Sequence, residues 1–79
     1  MFTVYVLSST KKNYLYVGLT NNLDRRLNQH NNGRVQSTRP YRSFQLLYTE
    51  TCTTRQEARN KEKYFKSGCG KEWLKLRDR

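Results

Sequence analysis

The chain has 79 residues, with 16 Lys or Arg against 6 Asp or Glu, and its formal net charge of +10 favours a polyanionic partner, nucleic acid above all. The basic residues do not border an amphipathic apolar stripe, which argues against a membrane surface as the partner. No apolar run approaches the ~20 residues of a membrane span and no signal-peptide pattern begins the chain, so we expect a cytoplasmic protein.

Two short apolar runs near the start of the chain predict a β-hairpin. They cover residues 2–7 and 14–20, and a polar stretch separates them. One register places Tyr5 opposite Tyr16 and leaves residues 10 and 11 as the turn. Directly opposed residues of an antiparallel pair share a face, with Cβ atoms roughly 5 Å apart, so the two phenols are expected side by side.

A helix is predicted next, from about residue 22 to residue 32. Asn21 or Asn22 can cap its start, and Asp24 suits its first turn. Gly33 suits the position after its end. The apolar edge of this helix is narrow, so we expect the helix to pack by that edge alone.

Arg26 and His30 lie four residues apart in this helix and therefore share one face. That spacing directs a guanidinium and an imidazole along the rim of the hairpin. For each residue taken alone, a solvated position on the helix surface is the alternative interpretation.

The middle of the chain predicts a loop and a third strand. Residues 33–42 are polar and basic, as is typical of a loop. Residues 43–50 alternate between apolar and polar, and this pattern predicts a strand with Phe44, Leu46 and Tyr48 on one face.

A capping box formed by Thr54 and Glu57 predicts a second helix from about residue 54 to residue 67. Gly68 and Gly70 are expected to end it, before a short final helix over residues 71–76. The element order is then β-β-α-β-α-α. This order predicts an α+β fold in which helices flank a three-stranded antiparallel sheet.

The chain has no stretch with the composition of a linker or a repeat, so residues 1–79 are expected to form a single domain. Cys52 and Cys69 lie outside any CxxC pair or metal-binding cluster. We therefore expect both cysteines to be reduced thiols.

Glu62 lies in the middle of a helix face that should be apolar, because Ala58, Glu62 and Phe65 form one stripe. A carboxylate buried there without a partner would be costly, so it must meet a cation, a metal ion or water. Two interpretations stay open. One is an ion pair with Arg59 or Lys66, and the other is a ligand for a divalent metal.

Together these residues supply what hydrolysis of a phosphodiester needs. The reaction requires a base for the attacking water, positive charge at the phosphoryl oxygens, and a metal or acid at the leaving oxygen. The phenols, the Arg26 and His30 pair, and the carboxylate of Glu62 provide candidates for each role.

The order of these motifs resembles that of the GIY-YIG nuclease superfamily. Thr3-Val4-Tyr5 and Tyr16-Val17-Gly18 resemble its two name-giving tripeptides, with Thr and Val in place of Gly and Ile in the first. Residues 18–30 resemble its strand-to-helix segment with an Arg-x-x-x-His pair, and residues 57–66 resemble the helix of its metal-binding glutamate. The short chain is most similar to the stand-alone, single-domain branch of bacteria and phages.

The resemblance implies a role for each matching residue. Tyr5 and Tyr16 would be the motif tyrosines, and Gly18 would keep the strand end open. Arg26 would bind phosphate, and His30 would take the family's variable auxiliary role. Glu62 would hold Mg²⁺ or Mn²⁺.

The expected function is that of a metal-dependent endonuclease, with DNA ahead of RNA as its substrate. Tyr5 or Tyr16 would accept a proton from water, with Tyr5 favoured by analogy to the family. A phenol is a poor base at neutral pH, so we expect nearby cations to depress its pKa. The alternative is a catalytically silent nucleic-acid-binding module on the same scaffold, and in either case specificity would come from substrate shape, a homodimer or a partner protein.

A set of basic side chains is expected to contact the nucleic-acid backbone, although each one alone could serve only solubility. The set consists of Lys11, Lys12, Arg34, Arg39, Arg42, Lys61, Lys63 and Lys66. Tyr41 has two interpretations. It could stack on an unpaired base, which would favour single strands, or it could be a lid over the core.

Overall fold

The computed structural model describes residues 1–77, and residues 78 and 79 of the expected domain lie outside the described residues. The described chain contains strands β1 (Phe2–Ser9), β2 (Leu15–Thr20) and β3 (Phe44–Cys52) and helices α1 (Leu23–Asn31), α2 (Arg55–Lys66) and α3 (Gly68–Arg77). A short 3₁₀ turn, Arg39–Tyr41, lies in the segment predicted to be a loop. This arrangement confirms the predicted order β-β-α-β-α-α.

The three strands form one antiparallel sheet with β1 in the centre, in the order β2-β1-β3. Four consecutive residues of β1, Val4 to Leu7, are at most 1% exposed. Successive side chains of a strand point to opposite faces, so both faces of the sheet must be covered. The prediction of a three-stranded antiparallel sheet flanked by helices is confirmed.

The predicted hairpin register was wrong by two residues. Tyr5 lies opposite Gly18, and Tyr16 lies opposite Leu7. The turn is longer than expected because the Ser9 hydroxyl accepts hydrogen bonds from the two backbone amides at residues 11 and 12. A shift of two residues keeps each side chain on its face, so the two tyrosines still share one side of the sheet.

Strand β3 contains a bulge that changes which residues share a face. Val6 lies opposite Tyr48, and Leu7 lies opposite Leu46, so Leu47 is an extra residue in β3. The prediction that Phe44 and Tyr48 share a face was therefore wrong. The two side chains belong to clusters on opposite sides of the sheet.

The core has two layers, one on each face of the sheet. On one face, valines of β1 and β2 pack against α2 and α3 through Ala58, Phe65 and Leu74. On the other face, a cluster built on Tyr5 and Leu7 packs against the leucine edge of α1. The second layer carries both motif tyrosines.

Side chains cap the starts of α1 and α2, as predicted for Asn22 and Thr54. The side chain of Asn22 accepts a hydrogen bond from the Arg25 amide at the start of α1. Thr54 Oγ1 accepts one from the Glu57 amide at the start of α2. After α1 the chain turns through Gly33, whose φ of 73° favours glycine.

The two glycines expected to end the second helix lie instead inside α3, which begins at Gly68. Ser67 separates α2 from α3, and its hydroxyl accepts a hydrogen bond from the Gly70 amide. A Cβ at Gly70 would collide with the carbonyl oxygen of Tyr64 and lie 2.7 Å from Cα of Phe65. Gly70 therefore permits the close approach of α3 to α2.

Cys52 is buried and Cys69 is exposed, and both are free thiols, as predicted. Among residues 1–77, no helix has the length and apolarity needed to cross a bilayer.

Gly70→Ala should destabilise the fold, because its methyl group would displace backbone atoms of α2. The expected cost is about 1–3 kcal/mol in free energy of unfolding, measured by urea denaturation. Gly68→Ala is the matched control in the same helix, since no atom lies within 4 Å of a Cβ built there. It should be neutral or stabilise the fold by up to about 1 kcal/mol. Equal effects of the two substitutions would contradict this account of the α2–α3 contact.

Candidate active site

The centre of the site is a buried hydrogen bond between Tyr5 and His30. The Tyr5 hydroxyl lies 3.0 Å from Nε2 of His30. Tyr5 is 1% exposed and His30 is fully buried. The leucine edge of α1 packs on the sheet and brings the end of the helix over β1. The alternative of a solvated helix position was therefore wrong for His30.

Tyr16 completes a cluster of three rings. Its ring centroid lies 6.1 Å from that of Tyr5 and 4.7 Å from that of His30. Tyr16 is half-buried on the edge strand β2, whereas Tyr5 is covered on the central strand. The two phenols thus share one site but differ in access to solvent.

Arg26 places a positive charge against the phenols. Its guanidinium lies close to the hydroxyls of Tyr5 and Tyr16. Both hydroxyls raise the pKa of Arg26, and the effect of Tyr5 is the larger one. Nη1 of Arg26 donates a hydrogen bond to Oε1 of Gln29 at 3.0 Å, which holds the guanidinium in place. Arg26 also lines a cavity of about 250 Å³ that opens beside the start of α1.

Gly18 leaves the space that the Tyr5 ring occupies. The two residues lie opposite each other across β1 and β2. A Cβ at Gly18 would collide with Cζ and Oη of Tyr5 and lie 2.9 Å from Cε2 of Tyr16. Any larger side chain would therefore displace both phenols.

Burial decides the protonation states of the central pair. It raises the pKa of Tyr5 to about 12, and the Arg26 guanidinium offsets this only in part. Burial, followed by the charge of Arg26, lowers the pKa of His30 to about 4. At neutral pH the pair is a protonated phenol beside a neutral imidazole. We expected nearby cations to depress the pKa of a phenol. For Tyr5 this expectation was wrong, because its pKa is raised.

Glu62 lies on the other side of the sheet from this cluster. Its neighbours on the stripe, Ala58 and Phe65, pack against the valine face. The Glu62 side chain is 22% exposed, and its Oε2 lies 3.3 Å from Nζ of Lys66, which confirms one of the two expected ion pairs. Helix α2 contacts both β1 and the edge strand β2. The other four predicted site residues come together, and Glu62 stands apart from them across the sheet.

The donor set around Glu62 suits a metal that arrives with its substrate. Among residues 1–77, no three His, Cys, Asp or Glu side chains are grouped so as to hold a metal ion. Mg²⁺ is commonly held by one or two carboxylates together with substrate phosphates and water. A single carboxylate paired with an exposed lysine matches that requirement and does not match a permanently bound metal.

The comparison with known proteins decides the family. A model of the GIY-YIG catalytic domain matches residues 1–74. The chain belongs to the GIY-YIG family. The resemblance drawn from the tyrosine, arginine and glutamate motifs is therefore confirmed.

Similar proteins carry the name UPF0213. One from Clostridium perfringens is 38% identical over 74 residues, which cover 92% of this chain and 78% of the relative. One from Bacillus licheniformis is 43% identical over 63 residues, 78% of this chain. The match spans 64% of that relative, less than two thirds of its length. The solution NMR structure of a UPF0213 protein from Bacillus halodurans has 33% sequence identity and a TM-score of 0.57, covering 94% of this chain and 82% of that one.

In this GIY-YIG domain, the predicted basic residues fall into two groups. One group lies in loops, with Lys11 and Lys12 in the turn between β1 and β2 and with Arg34, Arg39 and Arg42 in the segment after α1. The other lies on α2 and contains Lys61, Lys63 and Lys66. Lys12 lies over the ring of Tyr41, which packs against the cluster of Tyr5, and Arg39 and Arg42 bond to carbonyls at the end of α1. These three residues of the first group are therefore on the side of the tyrosines.

Several of these cations have partners within the protein. Nε of Arg39 donates to the Gly33 carbonyl at 2.8 Å, and Nη1 of Arg42 donates to the Asn32 carbonyl at 3.4 Å. Both stabilise the negative end of the α1 dipole. Nζ of Lys61 lies 3.0 Å from the carboxylate of Glu50. These contacts give the three residues structural roles in the free protein.

Tyr41 acts as a lid over the aromatic layer. Its ring stacks on that of Tyr14 with centroids 3.9 Å apart and planes 8° apart. Nζ of Lys12 lies 5.5 Å from the ring centroid. These contacts match the lid interpretation and occupy the ring surface that a nucleic-acid base would need.

Sequence reasoning missed two residues of the site. Arg25 lines the cavity beside Arg26 and a second one, of about 390 Å³, farther along α1. Its position next to Arg26 in the motif segment is a signal that could have found it. Thr38 lies buried behind His30, and its surroundings in the sequence are those of an ordinary polar loop. Nothing in that pattern indicates burial.

Proposed function

We propose that this chain is a divalent-metal-dependent endonuclease that hydrolyses phosphodiester bonds of nucleic acid, DNA ahead of RNA. The convergence of two phenols, an imidazole and a guanidinium at one place carries the proposal. Buried polar groups lower stability unless they are paired, and a small core has little stability to lose. Membership of the GIY-YIG family and the net charge of +10 support the same function.

Arg26 binds the scissile phosphate. Its guanidinium is half-buried and anchored on Gln29, and it faces a polar cavity large enough for a phosphate group. A guanidinium forms strong, geometrically specific hydrogen bonds with phosphate oxygens. It thereby stabilises the negative charge that develops on those oxygens in the transition state.

Tyr5 and His30 together accept the proton of the attacking water. Since Tyr5 is protonated at neutral pH, it can take a proton from water only as it gives up its own. Nε2 of His30 lies 3.0 Å away and is the acceptor. The water O–H bond breaks as a new Oη–H bond forms, and the original hydroxyl proton moves to Nε2. Because the pKa of His30 is low, the imidazole is neutral at neutral pH and one of its nitrogens has a free lone pair.

Glu62 is the residue that would hold Mg²⁺ or Mn²⁺. When bound there, such an ion would supply positive charge at the phosphate and would lower the pKa of water. Lys66 would release the carboxylate at small cost, because the lysine side chain is 56% exposed and an i,i+4 ion pair at the surface contributes little to stability. Because α2 contacts the edge strand that carries Tyr16 and Gly18, a nucleic-acid backbone at this edge can meet both sides of the sheet.

A second candidate function is a nucleic-acid-binding module without turnover. The ion pair of Glu62 with Lys66 and the position of α2 across the sheet favour it. Such a module would use the arginines along α1 for phosphate contacts and would bind with strong dependence on salt.

The proposal is tested by incubating labelled single- and double-stranded DNA and RNA with the protein and Mg²⁺. We expect cleavage of at least one DNA substrate, loss of cleavage in excess chelator, and a roughly 100-fold or greater loss in Glu62→Gln. Glu72→Gln removes the same charge from an exposed position on α3 and should keep full activity. Undiminished cleavage by Glu62→Gln would overturn the role of Glu62. Salt-sensitive binding without cleavage by the wild type would establish the binding module instead.

Tyr5→Phe and Tyr16→Phe separate the roles of the two phenols, since each removes one hydroxyl and keeps the ring. Tyr5→Phe should lower kcat by about 100-fold or more, because it removes the route by which the water proton reaches His30. Tyr16→Phe should cost less than about tenfold. Single-turnover cleavage rates measure both. A larger loss in Tyr16→Phe would assign the proton transfer to Tyr16.

A further inference from the structure

Thr38 closes the buried polar network behind the histidine. It is fully buried in the segment that precedes the 3₁₀ turn. Its Oγ1 lies 2.8 Å from Nδ1 of His30 and 3.4 Å from the carbonyl oxygen of Val35. The network therefore runs from the hydroxyl of Tyr5 through both ring nitrogens of His30 to the hydroxyl of Thr38.

The groups around the Tyr5 hydroxyl favour one direction for these hydrogen bonds. Beside the Tyr5 hydroxyl stands the guanidinium of Arg26, which can only donate. Two groups near the Tyr5 hydroxyl can accept its hydrogen, the hydroxyl of Tyr16 and Nε2 of His30 at 3.0 Å. Tyr16 is half-buried and can bond to water, whereas His30 is fully buried, so we assign the hydrogen of Tyr5 to Nε2. A neutral imidazole that accepts at Nε2 must carry its hydrogen on Nδ1.

The surroundings of Thr38 agree with this direction. A hydroxyl that accepts from Nδ1–H keeps its own hydrogen for another acceptor, and the Val35 carbonyl lies within reach. The same carbonyl accepts the amides of Thr38 and Arg39 at 3.2 and 3.0 Å. These bonds form a tight turn that holds the Thr38 hydroxyl against the imidazole.

We infer that Thr38 is a positioning residue that fixes His30 in the tautomer with hydrogen on Nδ1, so that Nε2 accepts the proton of Tyr5. The functional consequence rests on the proposed nuclease function. With the opposite tautomer, Nε2–H would point at the Tyr5 oxygen and could not accept its proton. The tautomer itself is a property of the folded protein and does not depend on turnover.

The test is ¹⁵N NMR of the imidazole at neutral pH, and its signals are unambiguous because the chain has 1 histidine. The wild type should show a protonated Nδ1 and an unprotonated Nε2. Thr38→Val keeps the shape of the side chain and removes the acceptor, and it should move the population toward the Nε2–H form. Thr38→Ser restores the hydroxyl and should restore the wild-type pattern. An Nε2–H wild type would overturn the inference, whether or not Thr38→Val folds.

Cleavage kinetics provide the second measurement. Thr38→Val should lower kcat by about tenfold or more with KM little changed, and Thr38→Ser should recover most of the loss. Equal tautomers and equal rates in all three proteins would also overturn the inference. If the wild type does not cleave any substrate but the tautomer changes as expected, the proposed nuclease function fails and the role of Thr38 stands.

Discussion

The hydrogen bond between Tyr5 and His30 is the interaction on which the site depends. Both side chains are almost fully buried, so either one left unpaired would cost roughly 1–3 kcal/mol. The bond joins the end of α1 to the central strand, and Thr38 extends it to the following segment. These hydrogen bonds thereby hold β1, α1 and the segment that precedes the 3₁₀ turn together. In so small a core, apolar side chains would stabilise the fold without the cost of burying polar groups. The presence of a buried polar network therefore supports the proposed function.

Other features of the site follow from this bond. The Tyr5 ring can reach His30 only because Gly18 leaves the space opposite it. Arg26, one helical turn before His30, necessarily lies against the same hydroxyl and helps to keep the imidazole neutral. The site is thus a set of mutually dependent side chains on one face of the sheet. Glu62 lies on α2, the helix that packs on the opposite face of the sheet through Ala58 and Phe65.

Patterns within short stretches of sequence predicted the features that depend on interactions between neighbouring residues. The element order, the caps at Asn22 and Thr54, and the shared face of Tyr5 and Tyr16 follow from spacing within a few residues. Contacts that the apolar patterns do not show determined the rest. Hydrogen bonds of the turn set the hairpin register, and the bulge in β3 set which residues share a face. The close contact between α3 and α2 explains why a glycine stands at position 70. No local pattern could show that Thr38 is buried or that α2 lies across the sheet from the tyrosines.

The most direct test of the account is the protonation state of the imidazole in the folded wild-type protein, measured by NMR as a function of pH. With a pKa of about 4, His30 remains mostly neutral at about pH 5.5, where an ordinary imidazole is roughly nine-tenths protonated. The account predicts a neutral ring at that pH in a sample whose amide spectrum shows the native fold. A ring that titrates with a midpoint near 6.5 would contradict it, because the imidazole would then be open to solvent rather than buried against Tyr5.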